Sequence, residues 1–398
     1  MRIIALIFLV LTGLAALPAA ADESTSFQVS PVFDLRVRQE ILDGVYHFAP
    51  DPYRNWVRIR SRLGAEAGSG AHDFKLLLTN EHRHFIGPGE QVFDWDELIL
   101  DQAWWRWAIN PESKLTLGRQ NVIWDRGFLM LEGHPLDGSR SIYHNAARLQ
   151  APLGRGGLDL SVIYNPKRDP LVLARDKDLP LTDADETAVA ARWTRGAGKW
   201  SAIWKNETDP DGVLPHLQVL TLGGRRDWGV GDAGELLAEL ALQYQHEDTD
   251  GYAFALQASY ADDLGKKWRG RGGYFHYSGA SGDLKTFRTP WGRWPKWSEL
   301  YIYTLIGEST PGRIHVAAWE NICGPHAQVS RTLGKLFDLR LTAYWLLAPQ
   351  TDWTTRGALT QTELKFRIIP QLDGHLLWEM LVPGAFHDGR GGLPPLTD

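Results

Sequence analysis

Arg58, Arg60 and Arg62 recur at every second position, so in an extended chain their guanidinium groups share one face. A guanidinium is planar, permanently charged and pairs bidentately with carboxylate or phosphate. Like charges stacked on one face repel unless acids or bound anions answer them. The same rhythm carries Arg36 and Arg38, Lys75, Arg148, Arg192, Lys199, Lys205, Arg269 and Arg271, Arg340, Lys365 and Arg367. Acids in phase with them are fewer: Asp34, Glu40, Glu66, Glu235, Glu239, Glu363 and Glu379. The chemistry these residues offer is reversible anion binding. A chain of net charge −6 is therefore expected to enclose a positive interior, with its acids partly in loops. Such an interior concentrates an anionic solute and speeds its passage. The competing reading is that cations and acids pair across neighbouring strands and only stabilise a polar interior.

No residue set suggests bond-making chemistry. Cys323 is the sole cysteine, without local support as a nucleophile. His82, His84 and His144 lack zinc spacing. Asp248-Thr249-Asp250-Gly251 matches a fragment of a calcium loop without the remaining ligands, and reads as a tight turn. No serine and histidine stand as a hydrolytic pair. The expectation is a protein that is not an enzyme, with no catalytic residues, no metal and no cofactor. At net charge −6, nucleic acid is not an expected partner.

The elements that must hold these cations are strands. Glu97 to Gly127 shows the pattern most clearly. Leu98 to Ile109 is an extended run with Trp104, Trp105 and Trp107, Asn110-Pro111-Glu112-Ser113 is turn chemistry, and Lys114 to Gln120 alternates apolar with polar. A soluble sandwich would have to bury those indoles, whereas a membrane barrel places them where lipid meets water. Comparable alternation runs through Val32–Ile41, Val57–Ala67, Phe74–Glu81, Ile142–Ala151, Leu158–Asn165, the stretches around Trp193, Trp204, Leu240 and Leu256, Trp268–Ser278, and the stretches around Leu341, Leu364 and Trp378. Leu214–Gly224 is a weaker instance.

Each segment approaches the roughly 10 residues that a tilted strand needs to cross a bilayer. Connections alternate short and long. Gly154–Arg155–Gly156, Arg195–Gly196–Ala197–Gly198 and Asp262–Asp263–Leu264–Gly265 are short; Leu42–Asn55, His82–Asp94, Asn121–Ser141, Pro166–Asp185 and Gly279–Ser298 are long. The fold class expected is an all-β transmembrane antiparallel barrel of 16–18 strands, with 18 favoured, short periplasmic turns and long extracellular loops. Mean hydropathy of −0.28 excludes a helical membrane protein. Arg2, the apolar run Ile3 to Ala16 and the Ala19-Ala20-Ala21 end read as a signal peptide over residues 1–21. The barrel is then expected over 22–388 with a short tail at 389–398, in the outer membrane of a Gram-negative-type bacterium. With one cysteine in an exported chain, disulfides cannot hold it together, and a large sheet would.

Leu100-Asp101-Gln102-Ala103-Trp104 followed by Leu115-Thr116-Leu117-Gly118-Arg119-Gln120 resembles the alginate-export family of outer-membrane barrels. Gly272-Gly273-Tyr274 through Ser278-Gly279-Ala280-Ser281-Gly282-Asp283, Thr362-Glu363-Leu364 and Pro383-Gly384-Ala385-Phe386 resemble later pieces of the same family, in the same order. The resemblance implies 18 strands and passive passage of anionic polysaccharide through an arginine-lined constriction. Arg119, Gln120 and Glu363 fall on its motif positions. Strict alternation puts Arg119 on the apolar side, so a bulge or the strand end must redirect it. The family usually continues into one more strand ending in an aromatic residue, whereas Gly389–Asp398 contains no strand pattern. That leaves either a truncated chain or a missed strand, with Leu300–Ile306 as the candidate.

The function expected is an outer-membrane channel for passive passage of anionic poly- or oligosaccharide. Its proposed lumen residues are Arg36, Arg38, Arg58, Arg60, Arg62, Arg119, Arg148, Arg192, Arg269, Arg271, Arg340, Lys365 and Arg367. The expected partners are anionic polysaccharide or small anions, outer-membrane lipid and lipopolysaccharide, the barrel-assembly machinery and a periplasmic export partner. The alternatives are a general anion-preferring porin, or a plugged barrel that binds carbohydrate at the cell surface. In the second, Trp291, Trp294 and Trp297 of the long loop stack on sugar rings, or else plug the lumen.

Overall fold

The computed structural model describes residues 27–44, 53–87, 93–130, 144–175, 182–291, 298, 300 and 321–387. The expected signal peptide, the tail, most of the Leu300–Ile306 candidate, Trp294 and Trp297 lie outside the described residues. The alternating segments become one 18-stranded antiparallel sheet. The first half holds β1 (Gln28–Leu42), β2 (Arg54–Ser69), β3 (His72–Gly87), β4 (Phe93–Asn110), β5 (Ser113–Gln120), β6 (His144–Leu153), β7 (Gly156–Asn165), β8 (Val172–Ala174) and β9 (Asp185–Arg195). The second holds β10 (Gly198–Thr208), β11 (Leu217–Val230), β12 (Gly234–His246), β13 (Asp250–Gly265), β14 (Trp268–Tyr277), β15 (Ile322–Leu333), β16 (Phe337–Ala348), β17 (Thr354–Ile369) and β18 (Leu372–Pro383).

Chain neighbours pair antiparallel along the wall, so a tight turn at one rim alternates with a wider connection at the other. The short element β8 departs from this order. β7 pairs directly with β9, and β8 instead lies on β4, extending its ladder beyond the end of β5. Among the described residues, β1 pairs with β2 and β18 with β17.

Three expectations need correction. His82–Asp94 is mostly strand, because β3 runs on to Gly87 and β4 starts at Phe93. Periodicity passed over two strands, β8 inside the stretch read as the connection Pro166–Asp185, and β15, where Gly324-Pro325 interrupts the alternation, yet Pro325 sits opposite Tyr274 in the β14 ladder. Asp262–Gly265, read as a turn, belongs to β13, and the turn is Lys266-Lys267, both at positive φ (48° and 69°).

The two faces of the sheet differ as a bilayer requires. Phe33, Leu35, Val37 and Ile41 of β1, Trp200 and Trp204 of β10, Trp345 of β16 and Leu376, Trp378 and Val382 of β18 are exposed on the outer face. An uninterrupted apolar exterior on a charged chain is covered by lipid. The inner face is polar over β1–β4, but between β7 and β13 it carries Ala188, Ala190, Ile203, Ala241, Ala253 and Ala255, all buried. These small residues make room for two segments that fold inward. Val122, Trp124, Phe128, Leu129 and Met130 come from the connection after β5, and Phe287 and Trp291 from the one after β14. The apolar core of the molecule is therefore in the lumen.

Candidate functional site

Three groups of cations line the inner wall. The first spans β1–β4. Register opposes like charges directly, Arg36 to Arg60 and Arg38 to Arg58. Carboxylates answer them, all but Asp34 buried. Arg58 Nε donates to Glu81 Oε1 at 3.0 Å and Nη1 to Glu40 Oε1 at 3.1 Å. Arg38 pairs with Glu40, Arg60 with Asp34 at 3.2 Å, and Arg62 with Asp101 at 3.3 Å. Glu81, fully buried, also draws Arg36 to 3.8 Å and Arg83 to 3.4 Å. Asp101 accepts from Thr79 Oγ1 at 2.6 Å and occupies a register shift in the β3–β4 ladder. The spacing of Arg58, Arg60 and Arg62 thus builds an interlocked ion-pair lattice.

The second group is Arg119. Gly118 has φ +118°, and a Cβ there would lie 2.2 Å from the Ala103 carbonyl oxygen. This glycine bends β5 and turns Arg119 inward, against the strict alternation that would put it on the apolar side. Arg119 Nη2 and Nη1 donate to the two Asp169 carboxylate oxygens at 2.6 and 3.1 Å, and Nη1 also to the Leu100 carbonyl at 2.8 Å. Asp169 in turn accepts from the Leu171 amide at 2.9 Å, and Leu100 N donates to Leu171 O. Arg119 therefore pins the segment that carries β8 onto β4. Gln120 is buried against backbone carbonyls.

The third group sits where β9, β10 and β11 approach their tight turns. Lys199 is opposite Arg225 across β10–β11, and Arg225 opposite Glu239 across β11–β12. The carboxylate of Asp125, from the in-folded connection, takes Arg192 on one oxygen and Lys199 on the other, with Arg225 Nε at 3.9 Å. Arg225 also holds Asp227 at 2.7 Å and Glu239 at 3.3 Å. Asp125 has φ 53°, a left-handed conformation that costs a side-chain-bearing residue about 1 kcal/mol. A turn closed by Gly127 N to Trp124 O (2.9 Å) and Trp124 N to Met130 O (2.8 Å) keeps it there. Beside it is a water-sized recess lined by Trp124, Leu129, Arg192, Lys199, Arg225 and Glu239.

The second in-folded segment straps the inner wall. Gln245 and Gln243 donate to the Thr286 and Arg288 carbonyls at 2.8 and 2.6 Å. Lys205 donates to the Pro290 carbonyl at 2.9 Å and to Glu186 at 2.8 Å. Trp291 is 1% exposed; its Nε1 donates to Glu186 at 3.0 Å and its ring meets His144 edge-on at 5.2 Å. Trp291 therefore packs in the lumen and is closed to a sugar face. The two segments touch through Thr289 Oγ1 to Phe128 O, Trp291 N to Leu129 O, and the stacked rings of Phe128 and Phe287.

Of the remaining predicted residues, Arg148 pairs with Asp159 at 2.5 Å, and Arg269 and Arg271 gather around Glu235 at 3.1 and 3.9 Å. Arg340 meets Glu363 at 3.1 Å, with Lys365 at 3.5 Å, and Arg367 is exposed near the β17–β18 turn. Periodicity could not find Asp125 or Asp169, which lie in irregular connections and share a site with strand residues only through tertiary folding. Among the described residues, no group of histidine, cysteine and acid side chains could hold a metal ion.

One antiparallel sheet, apolar outside, charged within and with segments folded into its lumen, defines a transmembrane β-barrel of the porin type. No family model matches the sequence, and no curated protein does. Solved structures do. Pseudomonas aeruginosa OpdK, crystallised with vanillate, superposes with a TM-score of 0.56 at 10% identity, over 90% of this chain and 94% of that one. A BenF-like porin from Pseudomonas fluorescens gives 0.53 at 10% identity, covering 90% and 92%. Pseudomonas aeruginosa OccK2 (OpdF) in complex with glucuronate gives 0.51 at 11% identity, covering 90% and 92%. The fold is that of outer-membrane porins, and with the lipid-facing belt it places the chain in an outer membrane. Membership of the alginate-export family is not supported by these similarities.

Proposed function

We propose that this protein is an outer-membrane channel through which solutes bearing carboxylates diffuse passively. The observation that carries the reading is the convergence of Arg192, Lys199 and Arg225 on one carboxylate inside the barrel. A wall that already binds a carboxylate side chain suits a small organic acid or a uronate. Two of the similar porins were crystallised with such acids, vanillate and glucuronate. Export of an alginate-like polymer, with a periplasmic partner to deliver it, is the narrower form of the same proposal, because each uronate unit presents the same carboxylate. The two in-folded segments favour single acids over a polymer. They also support a second reading, a plugged barrel that binds carbohydrate without conducting.

Single-channel current across a planar bilayer separates these readings. A salt gradient should give an anion-selective reversal potential, with block by sodium glucuronate. Block by polymannuronate but not by glucuronate would restore the polymer reading. Silence from a folded barrel would favour the plugged form, and cation selectivity would overturn the anion-channel proposal.

A further inference from the structure

We infer that Asp125 is a resident ligand in a binding subsite for hydroxy-carboxylates, and that a solute carboxylate exchanges with the Asp125 side chain there. The inference deepens the channel reading and rests on it for the route of access, but it concerns an equilibrium that exists whether or not current flows.

The Asp125 carboxylate is held as a free carboxylate ligand would be, one oxygen to a guanidinium and the other to an ammonium, with a second guanidinium at 3.9 Å. Without it, Lys199 would keep Asp227 at 3.8 Å, Arg225 would keep Asp227 and Glu239, and Arg192 would have Asp159 opposite it across β7–β9. The side chain of Asp125 is 14% exposed and its residue lies at the lumen surface, next to the exposed Arg126. Solute therefore reaches the carboxylate without unfolding anything.

The rest of the turn is fixed. Trp124 and Gly127 close it, and Phe128 and Leu129 are tied to Thr289 and Trp291 of the strap. Rotation of one side chain is what exchange requires. A recess of about one water's size adjoins this carboxylate, so the body of an exchanging solute stays in the lumen. Trp124 lines the recess too. Its indole is 5% exposed, and Nε1 has no acceptor among the described residues. A buried donor without an acceptor is costly, and a ligand rich in oxygen supplies one. A carboxylate for the cations and a hydroxyl or ring oxygen for Trp124 together describe a sugar acid better than a simple anion.

The test is calorimetric titration of the folded barrel in detergent with sodium D-glucuronate, and with D-glucose as the neutral control. Asp125→Asn removes the competing charge and keeps a residue that tolerates positive φ. Asp125→Gly removes the carboxylate and relaxes the backbone, so at least one variant folds. Each should bind glucuronate about tenfold tighter than the wild type, the gain expected when an opposed charge-assisted pair no longer has to be displaced. Adding Arg192→Gln to Asp125→Asn should abolish the gain, and glucose should not respond to any of the changes. Equal glucuronate affinity in the wild type and both variants, or glucose binding as tight as glucuronate, would overturn the inference. Tighter binding by a barrel that carries no current would uphold the subsite and reject the channel.

Discussion

Gly118→Ala is the sharpest test of how the wall is built. At φ +118° an alanine is in a region that side chains avoid, at a cost of about 1–3 kcal/mol. Its Cβ would stand 2.2 Å from the Ala103 oxygen and 3.0 Å from Trp104 Cα, both backbone atoms of β4. A carbon normally keeps roughly 3.3 Å from a carbonyl oxygen, so β4 and β5 would have to part by about 1 Å. Overpacking of that kind adds about 1–3 kcal/mol. If the backbone escapes into an ordinary extended conformation, Arg119 turns towards lipid and leaves Asp169. Breaking such a buried pair costs about 3–5 kcal/mol. Both routes give a loss of several kcal/mol and release the segment that carries β8.

Two other glycines calibrate the result. Gly154 has φ +61° with nothing within 4 Å of a built Cβ, so its alanine variant should lose only about 1 kcal/mol. Gly157 is open and has an ordinary φ, so Gly157→Ala should fall within about 0.5 kcal/mol of the wild type. Urea titration of the barrel in lipid vesicles, followed by tryptophan fluorescence, ranks the three. Hydrogen exchange at Val172–Ala174 should quicken in Gly118→Ala alone. A Gly118→Ala barrel as stable as Gly157→Ala, with Val172–Ala174 still protected, would refute the bend at Gly118.

Other outcomes follow from the same geometry. Glu81→Gln leaves Arg58, Arg36 and Arg83 around a neutral group; it should destabilise the barrel by about 3 kcal/mol and move the reversal potential towards anions, as read in bilayers. Trp291→Ala should loosen the strap and raise single-channel conductance, and an unchanged conductance would show that Trp291 does not narrow the path. Leu35→Arg, midway along β1 on the lipid face, should cost about 2–4 kcal/mol in vesicle unfolding, since charge at the bilayer midplane is poorly solvated. The Lys167 ammonium, with the amides of Leu214, Asp211 and Val213, holds the Asp209 carboxyl well below the usual carboxylate range. Its folded value is lower than its unfolded one, so the stabilisation is complete above about pH 4 and is lost as the pH falls towards the folded value. Carboxyl NMR of Asp209, with Lys167→Met as the control that moves its titration part of the way back up while the three amides still hold it down, checks the sign.

Membrane crossing by strands, the lipid-facing belt and the inward direction of most cations were legible in the sequence. Each depends on a local repeat: Phe33, Leu35 and Val37 alternate with Asp34, Arg36 and Arg38 whatever the rest of the chain does. Where the repeat broke, legibility ended. β15 was hidden by Gly324-Pro325, and the inner face of β9–β13 was obscured because alanines interrupt its charges. Those alanines are small for the sake of segments far away in the chain, and no local pattern encodes that. The partners of the cations were equally out of reach. Arg58 finds Glu81, Arg119 finds Asp169, and Arg192 and Lys199 find Asp125, at separations of 23, 50, 67 and 74 residues. The sequence by itself determined that arginines would line a barrel, because alternation in an extended strand is a property of neighbouring residues. Only the tertiary structure decided which of them lock the wall together and which three meet a single carboxylate in the lumen, because the register of neighbouring strands and the inward folding of their connections set those distances.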